Sequence, residues 1–222
     1  MLFRSDRGVS VYDTTQNWRF NAIYQLPRLS AANGVLGNVL NGWQASSIVS
    51  LQSGYPLTIN LQTNRSLSGG RGGGVVTNID RPDLVSGRNK SNITSGTTAG
   101  CLGVAPGQKL GTPSMYYDPC AFTIPAAGFL GTAGRNILRG PGLVNLDFSL
   151  VKNTPIKRLG ESGRLEFRAE IFNILNRPNF RHPARVAYAG TANVQAPLSD
   201  AGRITETVTT SRQIQFALKV AF

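Results

Sequence analysis

The sequence predicts an all-β protein built from antiparallel, up-and-down strands. Its composition favours this class, because charged residues make up only 15% of the chain against about 25% in soluble globular proteins. Five segments also alternate between apolar and other side chains, as a strand with two different faces does. We predict strands at residues 15–27, 43–53, 142–152, 163–176 and 209–222.

The alternation is sharpest in the last two predicted strands. In residues 163–172, GRLEFRAEIF, one face is apolar and the other has four charges of alternating sign. Those charged residues are Arg164, Glu166, Arg168 and Glu170. In the last strand, one face is wholly apolar and consists of Ile214, Phe216, Leu218, Val220 and Phe222. Such strands fit either a soluble sandwich with one wet face or a membrane barrel with a polar lumen.

The connections between the strands favour the barrel. A moderate link at 28–42 and a short one at 153–162 alternate with long ones at 54–141 and 177–208. A compact sandwich seldom contains a loop as long as 54–141. Outer-membrane barrels combine short periplasmic turns with long extracellular loops, so we expect both long links to be extracellular. A secreted soluble all-β binding or adhesion module is the alternative.

Five strands cannot close a barrel, for which about eight is the minimum. We therefore expect the chain to be an incomplete piece of a larger barrel. No run of about 18 apolar residues and no basic, then apolar leader is present, so an export signal is expected upstream of Met1.

Charge and cysteine content exclude several classes of function. The net charge of +12 is spread singly along the chain without a basic block, which argues against a nucleic-acid partner. Cys101 and Cys120 are expected to form a disulfide that staples a loop in an oxidising compartment, the alternative being two free thiols. With His182 as the single histidine, we expect no metal site, no cofactor and no catalytic set, and hence no enzyme.

Several strings, in order and spacing, resemble the end of Oar-like TonB-dependent receptors, which have a carboxypeptidase-regulatory-like N-terminal domain. They are WRFNAIYQLP (18–27), NGWQASSIVSLQSGYPLTI (41–59), RPDLVSG (81–87), YYDPCAFTIPAAGFLGTAGRNILRGPGLVNLDFSLVKN (116–153), GRLEFRAEIFNILNRPNF (163–180) and SRQIQFALKVAF (211–222). The resemblance implies about five C-terminal strands of a 22-stranded transmembrane barrel for uptake of a large nutrient. It also implies a plug domain and further strands outside this sequence, and energy from a TonB complex that acts through the plug.

Individual residues receive roles from this picture. The lumen wall is expected to contain Asp147, Arg164, Glu166, Arg168 and Glu170, with Asp147 opposite Arg168 if the turn at 153–162 is symmetric. The resemblance implies that the barrel insertion machinery recognises Phe216, Leu218, Val220 and Phe222. Aromatic rings near strand ends, at Trp18, Tyr24, Trp43 and Phe222, suit the head-group zone of outer-membrane lipid. The candidates for ligand contact lie in the loop 54–141 and are Arg81, Asp83, Arg88, Tyr116, Tyr117, Asp118, Arg135 and Asn136.

Overall fold

The structure is a computed structural model, and it describes residues 8–29, 34–68, 80–156, 158, 160 and 162–222. In chain order its elements are β1 (Asn17–Gln25), α1 (Gly34–Leu40), β2 (Trp43–Gln52), β3 (Pro56–Leu57), β4 (Asn60–Leu61), β5 (Asp83–Leu84), a 3₁₀ turn (Pro119–Ala121), β6 (Phe122–Thr123), β7 (Leu138–Arg139), β8 (Leu143–Pro155), β9 (Arg164–Phe172), β10 (Val186–Tyr188) and β11 (Gln213–Ala221). No helix within these described ranges is long and apolar enough to cross a membrane.

The five long strands form one antiparallel sheet in the order β1-β2-β8-β9-β11. Each long strand therefore pairs with the next long strand along the chain. This arrangement confirms the predicted all-β class and its up-and-down topology. The two outer strands, β1 and β11, each pair on one side only among the described residues, so the sheet is open.

Strand β9 is shorter than predicted, because it ends at Phe172 rather than at residue 176. The backbone turns there because Asn173 and Asn176 adopt positive φ angles of 50° and 49°, a left-handed conformation that asparagine tolerates better than most residues. The Asn173 side chain stabilises the turn by accepting a hydrogen bond from the Arg177 N–H at 3.1 Å and donating one to the Thr210 carbonyl at 3.0 Å.

The turn between β8 and β9 changes the expected register of the charged residues. Strand β8 continues to Pro155, which pairs with Arg164, and the Ile156 N–H donates to the Gly163 carbonyl at 2.8 Å. The hairpin is therefore centred farther along the chain than a symmetric link at 153–162 requires. Arg168 lies opposite Val151, so the predicted pairing of Asp147 with Arg168 is wrong. Val151 and Arg168 are directly opposite and therefore point to the same face of the sheet. Asp147 lies an even number of residues from Val151 on the same strand, so Asp147 also points to that face.

The chain divides into two compact units. The sheet unit consists of residues 16–53, 142–179 and 207–222, apart from those that the structure does not describe. The other, which we call the insertion unit, consists of the described parts of residues 1–15, 54–141 and 180–206. Most of both long predicted loops thus belongs to a folded unit rather than to irregular chain.

The insertion unit has its own buried core. Three two-stranded sheets frame it, formed by β3 with β7, β4 with β10, and β5 with β6. The core residues are Leu57, Ile59, Leu61, Ile93, Tyr117, Ala121, Phe122, Ala133, Leu138, Ala187 and Tyr188. The Tyr117 and Phe122 rings meet edge to face at 6.1 Å between centroids, which is a favourable aromatic geometry.

The two core tyrosines use their hydroxyl groups within the insertion unit. The Tyr117 hydroxyl donates to the Ala184 carbonyl at 3.0 Å, and the Tyr188 hydroxyl lies 3.0 Å and 2.7 Å from the Pro119 and Phe122 carbonyls. Burial raises the pKa of both phenols, and the Asp118 carboxylate adds to the rise for Tyr188, whose pKa reaches about 12.

Alkaline pH should therefore destabilise the insertion unit. Tyr188 ionises at pH 10.0 in the unfolded chain and near pH 12 in the folded one, so its contribution is complete below pH 10 and decreases as the pH rises towards 12. Between pH 10 and pH 12, ionisation of Tyr188 in the unfolded chain should lower the free energy of unfolding by about 1.4 kcal/mol per pH unit. Urea unfolding of the insertion unit, followed by protease sensitivity at several pH values, measures this slope. Tyr188→Phe should make the slope shallower, and an unchanged slope would contradict the assignment.

Candidate functional site

The sheet unit has one apolar face, and that face is exposed. Phe20 on β1 is 63% exposed, and Phe216 and Leu218 on β11 are 71% and 68% exposed. Within the described chain, every apolar side chain of the buried core belongs to the insertion unit and none to the five long strands. A sandwich in water would bury this face against a second sheet. The exposed apolar face is instead what a membrane-spanning strand presents to lipid.

The opposite face of the sheet is mainly polar. The register places the predicted lumen-wall residues on this face, together with the side chains of Arg19, Asn21, Gln25, Gln44, Ser46, Ser50, Asn145, Ser149, Gln213, Gln215 and Lys219. Ile23, Ile48, Leu143, Val151, Pro155, Phe172, Ala217 and Ala221 interrupt it. The two faces together give the sheet one side suited to hydrocarbon and another suited to water.

The charges on the polar face form a short ladder along β9. The Arg168 guanidinium lies 2.9 Å from Glu166 and 3.6 Å from Glu170. Across the sheet, Glu166 pairs in register with Asn153 on one side and Lys219 on the other. Because these side chains are partly exposed, each ion pair contributes at most about 1 kcal/mol to stability. The ladder is better suited to wetting and lining a channel wall than to holding the strands together.

Three of the candidates for ligand contact are buried inside the insertion unit. Tyr117 and Asp118 are fully buried, and Asn136 is 7% exposed. The Asn136 amide donates to the Val9 carbonyl at 2.6 Å, and its oxygen accepts from the Thr58 hydroxyl at 2.8 Å. Their polar atoms are used within the fold, so the expected ligand contact is not supported for these three residues.

Asp118 is the most connected of these buried groups. One carboxylate oxygen accepts from the Thr98 hydroxyl at 2.7 Å and from the Cys120 N–H at 3.0 Å, which begins the 3₁₀ turn. The other oxygen lies 2.5 Å from the Arg88 guanidinium in an ion pair whose side chains are 0% and 17% exposed. Asp118 therefore links three separate parts of the segment 80–141, and Arg88 acts as its charge partner.

The remaining candidates lie nearer the surface. Arg81, Asp83 and Tyr116 are half-buried, and Arg135 is exposed. Asp83 accepts a hydrogen bond from the Thr132 N–H at 2.9 Å. The Tyr116 hydroxyl donates to the Arg139 carbonyl at 2.9 Å. Partial burial of Tyr116 raises the pKa of its hydroxyl. Arg135 is the exposed member of this group, and it is therefore the candidate best placed to meet a ligand.

Cys101 and Cys120 form a disulfide within the insertion unit, with 5.5 Å between their Cα atoms. The predicted disulfide is thus present, and Cys120 lies two residues after Asp118 in the sequence.

The structure also contains a buried arginine that the sequence did not signal. Arg65 is 9% exposed and donates to the carbonyls of Pro125 and Gly190, at 2.5 Å and 3.1 Å. No local motif marks Arg65, because its partners lie 60 and 125 residues away in the chain.

Metal-ligating residues do not cluster in the described part of the chain. His182 lies beside the Tyr55 ring, with 6.2 Å between centroids. Burial, Arg185 and Arg181 all lower its pKa, so the imidazole is neutral at physiological pH.

A single-layer sheet with one exposed apolar face and one polar face defines the wall of a membrane β-barrel. The family model described as "Outer membrane beta barrel domain" matches residues 2–215, and the chain belongs to that family. No curated protein and no solved structure gives a significant match. The chain is therefore an outer-membrane protein that associates with outer-membrane lipid, and the apolar face of its sheet is the side suited to that contact.

Removing the Asp118 charge should destabilise the insertion unit. Asp118→Asn leaves the Arg88 guanidinium without its ion partner in a largely buried position, which costs about 3–5 kcal/mol. The urea midpoint for loss of protease resistance in this unit should therefore fall. Asp83→Asn is the matched control, because Asp83 is half-buried and forms its hydrogen bond near the surface. An equal effect of both substitutions would contradict the central role of Asp118.

Arginine should be tolerated on one face of β11 and not on the other. Phe216→Arg places a charge in hydrocarbon near the middle of the strand and should cost about 2–4 kcal/mol of folding free energy in lipid vesicles. The control, Gln215→Arg, introduces the same side chain one residue away, opposite Glu170 on the polar face, and should cost less than about 1 kcal/mol. Equal costs would mean that the two faces do not meet different solvents.

Proposed function

We propose that the chain is part of a TonB-dependent outer-membrane receptor that takes up a large nutrient and catalyses no reaction. The observation that supports this most directly is the order within the insertion unit. It has a buried core, a disulfide and a buried ion pair, although it is built from the long connections of a barrel. Receptors place binding residues on loops that a rigid framework holds, and such a unit provides that framework.

The open sheet fits a barrel that further strands complete. β1 and β11 each leave one edge without a strand partner among the described residues, and such edges invite further strands. In this proposal, further strands of the same protein continue both edges to give a 22-stranded barrel, as the resemblance to Oar-like receptors implies. The apolar positions Phe216, Leu218, Val220 and Phe222 then serve as the signal for the barrel insertion machinery.

The polar face of the sheet fits a lumen that is occupied by a plug. Arg164, Glu166, Arg168 and Glu170 give this wall charges of both signs, which suits contact with a hydrated protein surface better than passage of one type of ion. The plug would contact this wall inside the barrel and the TonB complex on the periplasmic side. The end of the sheet with short connections is then periplasmic, and the two long connections of the chain are extracellular.

The alternative function, a secreted soluble all-β binding or adhesion module, is less well supported. Its apolar sheet face would need a covering layer, whereas this face is exposed and the chain belongs to an outer-membrane family.

Energy-dependent growth tests the proposal. Cells that produce the protein should grow on one member of a panel of oligosaccharides, peptides and ferric chelates supplied as the limiting nutrient. Growth on that nutrient should fail when either the protein or TonB is removed. A variant without residues 81–140 should still insert into the outer membrane but should lose this growth. Growth that needs the protein but not TonB would contradict the coupling, and normal growth of the deletion variant would contradict ligand binding by the insertion unit.

A further inference from the structure

The short connection between β1 and β2 contains a helix whose apolar side faces away from the protein. Helix α1 places successive side chains about 100° apart, so Val35, Leu36, Val39 and Leu40 fall in one arc. All four are exposed, Val35 by 82% and Leu36 by 60%, whereas Gly37 on the other side is buried. A helix on a water-soluble domain has the reverse orientation, with its apolar arc towards the core.

Two residues from the apolar face of the sheet hold this helix. The Lys152 ammonium group donates to the Asn38 and Asn41 carbonyls at 2.5 Å and 2.6 Å, at the C-terminal end of α1. The Trp43 indole N–H donates to the Val39 carbonyl at 2.9 Å. Trp43 and Lys152 pair in register, so both point to the face that meets lipid. The helix is therefore attached to the sheet from the lipid side.

The same two side chains are typical of a membrane surface. The Lys152 ammonium lies 5.2 Å from the centre of the Trp43 ring, a cation–π distance. A lysine at the end of an apolar series extends its charged group towards the head-group zone, and tryptophan prefers the same zone. Lys152 is the one charged residue in the apolar series of β8, and its position near the end of the strand, opposite the first residue of β2, fits this boundary.

Glycine at position 42 lets the helix lie close to the sheet. Gly42 has a φ of +84°, and a Cβ atom there would lie 2.4 Å from the Asn153 carbonyl oxygen. The Asn153 N–H donates back to the Gly42 carbonyl at 2.9 Å. A seven-residue helix is too short to be stable alone in water, so these contacts, rather than its own hydrogen bonds, determine where it lies.

We infer that α1 is an interfacial anchor that lies in the head-group zone of the phospholipid leaflet at the end of the sheet with short connections. Its apolar arc continues the lipid-facing surface of the sheet, so the same bilayer covers both. The side chains of Val35, Leu36, Val39 and Leu40 reach the upper acyl chains, and the exposed cations Arg28 and Arg158 in the two short connections suit phosphate groups. The anchor holds the strand ends at a defined depth.

Spin labels can measure what covers α1. Leu36→Cys and Val39→Cys, each labelled with a nitroxide, are reconstituted with the full chain into vesicles of phosphatidylethanolamine and phosphatidylglycerol. The ratio of collision rates with oxygen, which dissolves in lipid, and with a water-soluble nickel chelate reports depth. This ratio should be several-fold higher at positions 36 and 39 than at Asn38→Cys on the other side of α1. A label at Phe216→Cys verifies insertion by giving a still higher ratio.

Two results would overturn the inference while the Phe216 label reports lipid. If the labels at 36 and 39 collide freely with the nickel chelate, α1 lies in water. If they collide with neither reagent, another protein segment or a second copy of the chain covers the helix. Neither result bears on TonB dependence, because the anchor requires only a membrane-spanning sheet.

Discussion

The structure depends on one constraint, which is that each long strand must present two unlike faces to two unlike solvents. Side chains alternate along a strand, so a slip of one residue between neighbours would exchange the faces. The register from β1 to β11 avoids such a slip at every pairing, and the apolar series of five strands forms one surface as a result. The ladder around Arg168 is a consequence of that register, because its charges can lie only where the other solvent is water.

This constraint explains why the sequence predicted the sheet well. Alternation is a local signal, and a strand such as β9 displays it within nine residues. The end of β9 was less predictable, because left-handed Asn173 and Asn176 stop the pairing while apolar residues continue to Ile174 and Leu175. The Asp147 pairing failed for a related reason, since the centre of a turn depends on its backbone and not on face alternation.

The insertion unit was not predictable in the same way. Most of its strands are two residues long, so they show no period, and its core combines Leu57, Tyr117 and Tyr188 from distant parts of the chain. Only the spacing of Cys101 and Cys120 indicated order there. The sequence also did not indicate which polar side chains are buried in the core of this unit, because aspartate and asparagine usually lie at protein surfaces and Asp118 and Asn136 do not. Their burial became visible only with their partners in place.

The core of the insertion unit is built from chain segments that are far apart in the sequence, and this affects the order in which the protein folds. Its two main segments flank β8 and β9 in the chain, and the Tyr117 and Arg65 hydrogen bonds span 67 and 125 residues. Closing such wide contacts is entropically costly and slow compared with forming a hairpin. A nascent chain that has not reached residue 184 lacks both the Ala184 acceptor of Tyr117 and the Gly190 acceptor of Arg65, so the unit is completed late in synthesis or after it. Until then, the core of the unit stays incomplete, and its apolar side chains remain accessible to chaperones during transit.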